Sequence, residues 1–284
     1  MDIKIDDEML KQLKGKVVLV KYGGNAMLND DLKKSVIQDI CTLHDLGIFP
    51  VIVHGGGPFI KDLLGKLNIH SEFIDGQRKT SPEAMMYIEM VLKGQVNSDL
   101  VKIVNSMGKQ AVGLSGKDGK LAIAEKRMHK RVVDGNEELI DLWLVGDVVE
   151  INPTIVHLLL TNGFIPVIAT VASGKDNQDY NINADSFAGE LAGALKAEAY
   201  VALTDVDGLL NDLSDRRSLI RELNYSKGET FSEEMIKGGM IPKMDSCFNA
   251  LQKGVKSVRI INGTVKNSLI KELLTHERIG TIIR

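Results

Sequence analysis

Residues 16–24, KVVLVKYGG, and residues 49–57, FPVIVHGGG, decide the fold class. Each is a short apolar run rich in β-branched residues, as in a parallel strand buried on both faces, and each stops at glycines. A helical pattern carrying Val36, Ile37, Ile40 and Leu43 lies between them, and Pro58 suits the first turn of a helix behind the second. Strand, glycine turn and helix, repeated, is the rhythm of right-handed βαβ units. Ligands of open α/β sheets sit at the carboxyl ends of the strands, where these glycines fall. Gly23, Gly24, Gly55, Gly56 and Gly57 leave room for an anion to approach backbone N–H groups, with a helix dipole behind each turn. One such pair alone reads more readily as a tight turn. Two after consecutive strands, the first preceded by Lys21, favour anion binding.

The rhythm continues outward. Ser81-Pro82-Glu83 opens a third helix, with Ser81 as N-cap, Pro82 in its first turn, and Met85, Ile88 and Leu92 on its buried face. Residues 111–150 hold short β-like pieces and turn signals, Asp118-Gly119 and Asp134-Gly135, that read as hairpins appended to the lobe. Phe164 to Thr170 is again a buried strand. The polar stretch Ser173 to Asp179 reads as a linker or lid and marks a boundary between lobes 1–174 and 175–284. Beyond it come an Ala-rich helix from Ala184 to Leu195, a strand from Ala199 to Leu203, and the turn Thr204-Asp205-Val206-Asp207-Gly208. Residues 211–240 are polar; a helix near 243–253, a strand at 257–261, a helix near 267–275 and Thr281-Ile282-Ile283 close the chain. The expected fold is a three-layer αβα sandwich around a mostly parallel open sheet, in two lobes.

Composition narrows the function. At 284 residues, with 44% hydrophobic and 26% charged residues, the chain has the make-up of a globular protein with a sizeable core. A net charge of -3 and a pI near 6.1 give no basic footprint for nucleic acid. No apolar run reaches the roughly 18 residues that span a bilayer, and the N-terminus lacks the pattern of a signal peptide. The two cysteines, Cys41 and Cys247, are far apart; Cys41 lies in an apolar helical pattern and reads as a buried thiol, consistent with a reducing cytoplasm. The six histidines form no metal-binding spacing, and His54 reads as a satisfied strand-end residue, so no metal site is assigned. Neither G-x-x-x-x-G-K-[ST] nor a G-x-G-x-x-G at 55–60 occurs, which disfavours Walker-type NTPases and dinucleotide-binding dehydrogenases. The turn at 205–208 misses the glycine and glutamate spacing of a calcium loop.

Seven segments together carry a resemblance: VVLVKYGGNAM at 17–27, VIVHGGGP at 51–58, GQRKT at 76–80, VGLSGKDG at 112–119, NINAD at 181–185, LTDVDG at 203–208 and GGMIPK at 238–243. In this order, from about residue 15 to residue 284, the chain resembles the amino-acid-kinase family and, within it, the N-acetylglutamate kinases. LTDVDG is shared across the family; HGGGP, an arginine some twenty residues later and NINAD are more specific. The resemblance implies ATP-dependent phosphorylation of the γ-carboxylate of N-acetyl-L-glutamate, in arginine biosynthesis. Lys21 resembles the lysine that touches the transferring phosphoryl group, and Gly24 the glycine whose N–H donates to it. Gly56 and Gly57 resemble the glycines cradling the acyl-amino acid, Arg78 the residue gripping its α-carboxylate, and Asn181 an asparagine on the same substrate. Asp185 matches the aspartate that orients two catalytic lysines, and Lys243 the second of these. Gly23, Asp205 and Gly208 correspond, with Lys21, to the nucleotide side. Mg²⁺ would arrive with the nucleotide, without a dedicated protein cage.

The family's arginine-inhibited members carry a longer helix before the first strand, which builds a ring of dimers. Here fourteen residues precede Gly15, with Met9, Leu10 and Leu13 as an apolar stripe, and VGLSGKDG and the ending IGTIIR look like the inhibited class. The resemblance thus implies a homo-oligomer: a dimer as the floor, a hexamer with L-arginine feedback as the larger alternative. The rivals are a kinase for an aminoadipate derivative, aspartate or glutamate, and a non-catalytic amino-acid sensor.

The chemistry agrees with the residue types. A γ-carboxylate with a pKa of about 4.3 is ionised at neutral pH and needs no general base. It must approach a negatively charged γ-phosphoryl group, and two unit charges at ~4 Å repel by roughly 4 kcal/mol at an effective dielectric near 20. Cations and N–H donors that screen this repulsion are the main requirement.

Overall fold

The computed structural model describes residues 3–74, 77–133, 136–212, 215–225 and 240–284. Gly76, the Asp134-Gly135 turn, and Gly238 and Gly239 of the GGMIPK segment lie outside them, as does much of the polar stretch 211–240. In the first half the elements are α1 (Asp7–Leu13), β1 (Val17–Tyr22), α2 (Asp30–Asp45), β2 (Phe49–His54), α3 (Gly57–Lys66), the short hairpin β3 (Phe73–Ile74) and β4 (Gln77–Arg78), and α4 (Pro82–Glu89). A π-type stretch, Met90–Asn97, leads from α4 into α5 (Ser98–Ser106). Next come β5 (Ala111–Ser115), β6 (Ala122–Val133), β7 (Asn136–Ile151), α6 (Thr154–Thr161), β8 (Ile165–Ala169), β9 (Val171–Gly174) and β10 (Asp179–Ile182). The chain ends with α7 (Ala184–Ala194), β11 (Ala199–Thr204), β12 (Glu222–Leu223), α8 (Met240–Gln252), β13 (Ser257–Asn262), α9 (Ser268–Leu274) and β14 (Thr281–Ile283).

Among the described residues, eight strands form one sheet in the order β12-β14-β13-β11-β1-β2-β8-β5. From β13 to β5 every pairing is parallel; β14 runs antiparallel to β13. Side-chain alternation along the central strands splits the interior into two cores. Val18, Val20 and Tyr22 of β1 pack on one face with α2, the helical run 82–106 and α9, whereas Leu19 packs on the other with α7 and α8. The expected αβα sandwich is the result. That alternation also aims Lys21, two residues after Leu19, at the face that carries α7 and α8.

Ser173 to Asp179, expected as a linker or lid, is instead a tight hairpin joining β9 to β10. The hairpins expected in 111–150 form too, although β5 joins the main sheet and the β6–β7 ribbon is long. Together β10, β7, β6 and β9 close into a small barrel that the sequence pattern did not announce. A four-stranded barrel has little room inside. Tyr180 is buried in it, and a Cβ at Gly146 or Gly174 would stand 2.8 or 2.9 Å from Tyr180 atoms. Glycine at those two positions admits the ring. The next residue, Asn181, is thereby held between Val145 of β7 and Val171 of β9.

Candidate active site

The carboxyl ends of β1, β2 and β8 open onto a cavity of about 560 Å³. Its wall includes Lys21, Gly23, Gly24, Gly56, Gly57 and Arg78, with Asn181 and Asp185. The two glycine turns touch. Gly55 N–H donates to the Tyr22 carbonyl at 3.3 Å, and a Cβ on Gly24 would lie 2.7 Å from Pro58 Cδ. Gly24 is therefore required by the protein's own packing. Gly57 is different: a Cβ there would meet no protein atom within 4 Å, so the space it leaves belongs to the cavity.

The floor is built by NINAD. Asn183 caps α7, its side chain accepting from the N–H groups of Asp185 and Ser186, and this fixes Asp185 in the first helical turn, facing β1. Lys21 Nζ lies 3.1 Å from Asp185 Oδ2 and 3.0 Å from Oδ1. Lys243 Nζ, from the first turn of α8, lies 3.1 Å from the same Oδ1. All three side chains are buried. Burial pushes the Asp185 pKa up, but the two ammonium groups outweigh it and hold the carboxyl below the usual range. Burial pushes the Lys21 pKa down; Asp185 opposes this and Lys243 adds to it. Two ammonium groups share one carboxylate, an excess of one positive charge in a dry place. An incoming anion would complete the balance.

The opposite wall is set by β3 and β4. Arg78 is buried, its guanidinium carbon 4.5 Å from the Phe73 ring centroid, with hydrogen bonds to Ser71 Oγ and, at 3.4 Å, to the Gly57 carbonyl. Burial lowers its pKa, yet the guanidinium remains a cation, stacked and ready for a planar carboxylate. Asn181 donates to Thr80 Oγ1 at 3.2 Å. Sequence reading passed over Arg127, which also lines the cavity and pairs with Asp147 at 3.0 Å. It lies in the long ribbon, whose alternation marks a strand without marking which residues meet a ligand.

His54 has the bland role expected of it. The Gly55 carbonyl, 3.0 Å from Nδ1, can only accept, so Nδ1 carries the proton; Nε2 then accepts from Asn97 Nδ2 at 2.9 Å. Burial lowers its pKa to about 4, which leaves it neutral and fully engaged. The partner Asn97 was not foreseen. It reaches His54 from the end of the π-type stretch, in space kept open by Gly113, where a Cβ would collide with its side chain.

Asp205 and Gly208 do not line this cavity. They follow β11, the neighbour of β1, at the same carboxyl edge of the sheet. Gly208 is buried at φ 147°, with Thr281 Oγ1 2.6 Å from where its Cβ would be, so packing alone demands glycine there. Among the described residues no group of three or more His, Cys, Asp or Glu side chains could hold a metal ion. Nor is any helix of theirs long and apolar enough to cross a membrane.

A parallel sheet with two glycine turns, and two lysines joined by one aspartate beneath them, defines a class. The chain belongs to the amino acid kinase family, whose profile matches residues 16–262. Within that class it is similar to the acetylglutamate kinase of Moorella thermoacetica, 46% identical over 275 residues, 96% of this chain and 93% of that protein. It is likewise similar to the acetylglutamate kinase of Methanocaldococcus jannaschii, 43% identical over 276 residues, 96% of this chain and 92% of that protein. Among solved structures, the N-acetylglutamate synthase of Neisseria gonorrhoeae complexed with coenzyme A and N-acetyl-glutamate superposes with a TM-score of 0.82 at 23% identity. That match covers 97% of this chain and 61% of the synthase, and it speaks to the fold alone.

Proposed function

We propose that this chain is an acetylglutamate kinase: it transfers the γ-phosphoryl group of ATP to the γ-carboxylate of N-acetyl-L-glutamate, giving N-acetyl-L-glutamyl 5-phosphate and ADP in arginine biosynthesis. One observation carries the reading. Lys21 and Lys243, 222 positions apart in the chain, converge on the two oxygens of Asp185 beneath a cavity whose far wall presents Arg78 and Asn181.

Arg78 grips the α-carboxylate of the acid, Asn181 and the Gly56-Gly57 turn position its acylated amine, and the γ-carboxylate points toward Lys21. A carboxylate oxygen forms a bond to the γ-phosphorus as the bond from that phosphorus to the β–γ bridging oxygen breaks; ADP leaves with the electron pair. No proton moves, which suits a site whose histidine is neutral and fully hydrogen-bonded. Lys21 and the Gly24 N–H screen the transferring group from the acid side, and Lys243 from the nucleotide side. Asp185 does no chemistry; it aims both lysines. The nucleotide lies toward Gly23, Asp205 and Gly208. Asp185 is already engaged by two cations and is not free to hold a third. Mg²⁺ would come with the nucleotide phosphates, whose charge it would neutralise. In this reading residues 1–174, joined by Asn181 from the paired strand β10, form the acid-binding and dimerising lobe, and the rest of 175–284 forms the ATP lobe, in a cytoplasmic enzyme.

ATP-dependent hydroxamate formation with N-acetyl-L-glutamate tests the assignment. Turnover is expected with that acid and at least about tenfold less with glutamate, aspartate or an N-acylated aminoadipate, because each mispairs one of the buried polar groups of the site. Turnover of ATP with none of them would leave a sensor. Sedimentation with and without L-arginine separates a dimer from an arginine-responsive hexamer.

A further inference from the structure

Thr80 touches neither lysine nor glycine turn, yet it stands between the two residues that hold the acid. Its side chain is fully buried. Its hydroxyl donates to the backbone carbonyl of Arg78 at 3.0 Å, and its oxygen accepts from Asn181 Nδ2 at 3.2 Å. The polarity is forced. A carbonyl only accepts, so the single hydroxyl proton goes to Arg78; the Thr80 oxygen is then an acceptor, and the amide of Asn181 must turn its NH₂ end toward it. One N–H and the carbonyl oxygen of Asn181 are left for a ligand, in one orientation out of two.

The backbone supports the same arrangement. Thr80 N–H donates to the Leu142 carbonyl at 3.1 Å, and its carbonyl accepts from Leu144 at 2.9 Å, while Asn181 pairs with Val145. Both residues are thus pinned to β7, three or fewer positions apart, and the hydroxyl closes the triangle. We infer that Thr80 is a positioning residue for substrate recognition, its hydroxyl fixing the amide orientation of Asn181 and the backbone of Arg78 as one unit. This rests on the reading of the cavity as an acetylglutamate site.

Thr80→Val keeps the shape and removes the hydroxyl. The expected result is a KM for N-acetyl-L-glutamate raised about tenfold, the scale of one buried hydrogen bond, with the KM for ATP and kcat within about twofold. Thr80→Ser restores the wild-type value. Thr80→Cys, a poor acceptor of similar size, serves if the valine variant fails to fold, and must show the same split. Thermal melting accompanies each variant. An unchanged acid KM, or acid and ATP KM rising together with a lowered Tm, overturns the positioning role. A wild-type enzyme inactive on N-acetyl-L-glutamate fails at an earlier point, and the functional assignment falls with it.

Discussion

At the scale of single residues the site is an electrostatic device with three parts. Lys21 and Lys243 would repel each other in the same buried place; Asp185, between them, makes their convergence tolerable without neutralising it. In the proposed mechanism, removing either lysine takes away a cation that acts on the transferring group. Lys243→Ala is therefore expected to lower kcat by at least about tenfold, since one missing transition-state donor typically costs on the order of 2.7–4 kcal/mol, with the melting temperature preserved within a few degrees. A purified variant with full kcat would remove Lys243 from the mechanism. Asp185→Asn differs in kind: it leaves two buried ammonium groups unpaired, and broken buried pairs cost about 3–5 kcal/mol, so stability and activity should fall together. The lysines, Arg78 and Asp185 were legible through their motifs. Thr80 and Asn97 were not, because their importance lies in which atom of a distant partner each hydroxyl or amide faces.

At the scale of elements, the meeting of α7 and α8 decides where Lys243 goes. Lys243 and Ser246 share a face of α8, three residues apart, and both are buried. Ser246 donates to the Asp185 carbonyl and approaches α7 at Gly189, where a Cβ would stand 2.6 Å from Ser246 Oγ and 2.7 Å from its carbonyl oxygen. Alanine for glycine inside a helix ordinarily stabilises by up to about 1 kcal/mol. Here the contact is with backbone, which cannot swing aside. Gly189→Ala should push α8 away from α7, lower the melting temperature, and reduce kcat more than it raises either KM, because Lys243 retreats from Asp185. Thermal melting and initial-rate kinetics on one preparation check both; a variant with raised Tm and full kcat would show that the helices do not need this approach. Sequence alone gave an Ala-rich helix here. It did not show which small residue marks the crossing.

At the scale of the whole molecule, the ends of the chain are tied by a buried carboxylate. Asn267, at φ 58°, offers α9 no side-chain cap. Asp39 of α2 supplies one, accepting from Leu269 N–H at 3.1 Å, with burial raising its pKa to about 7. An unfolded aspartate loses its proton near pH ~3.9, so between there and about 7 the folded chain holds a proton that the unfolded chain has released. Stability from this group therefore falls as pH rises through that window. Asp39→Asn, which keeps an acceptor and cannot ionise, should flatten the decline in Tm between about pH 5 and pH 7; an unchanged profile would place the slope elsewhere.

Local pattern determined the parallel sheet, its two layers of helices and the glycine turns at the strand ends, because burial on both faces demands apolar runs and a turn facing a ligand demands small residues. The quoted motifs added the kinase family and most of the side chains that line the cavity. Only tertiary structure decided the closed barrel around Tyr180, the hydroxyl that links Arg78 to Asn181, and the single carboxylate on which two lysines meet. The bond from Asn181 to the Thr80 hydroxyl and the two lysine contacts join atoms 58 to 164 positions apart, the barrel pairs strands up to 50 apart, and no periodicity along one segment encodes the direction in which a distant donor points.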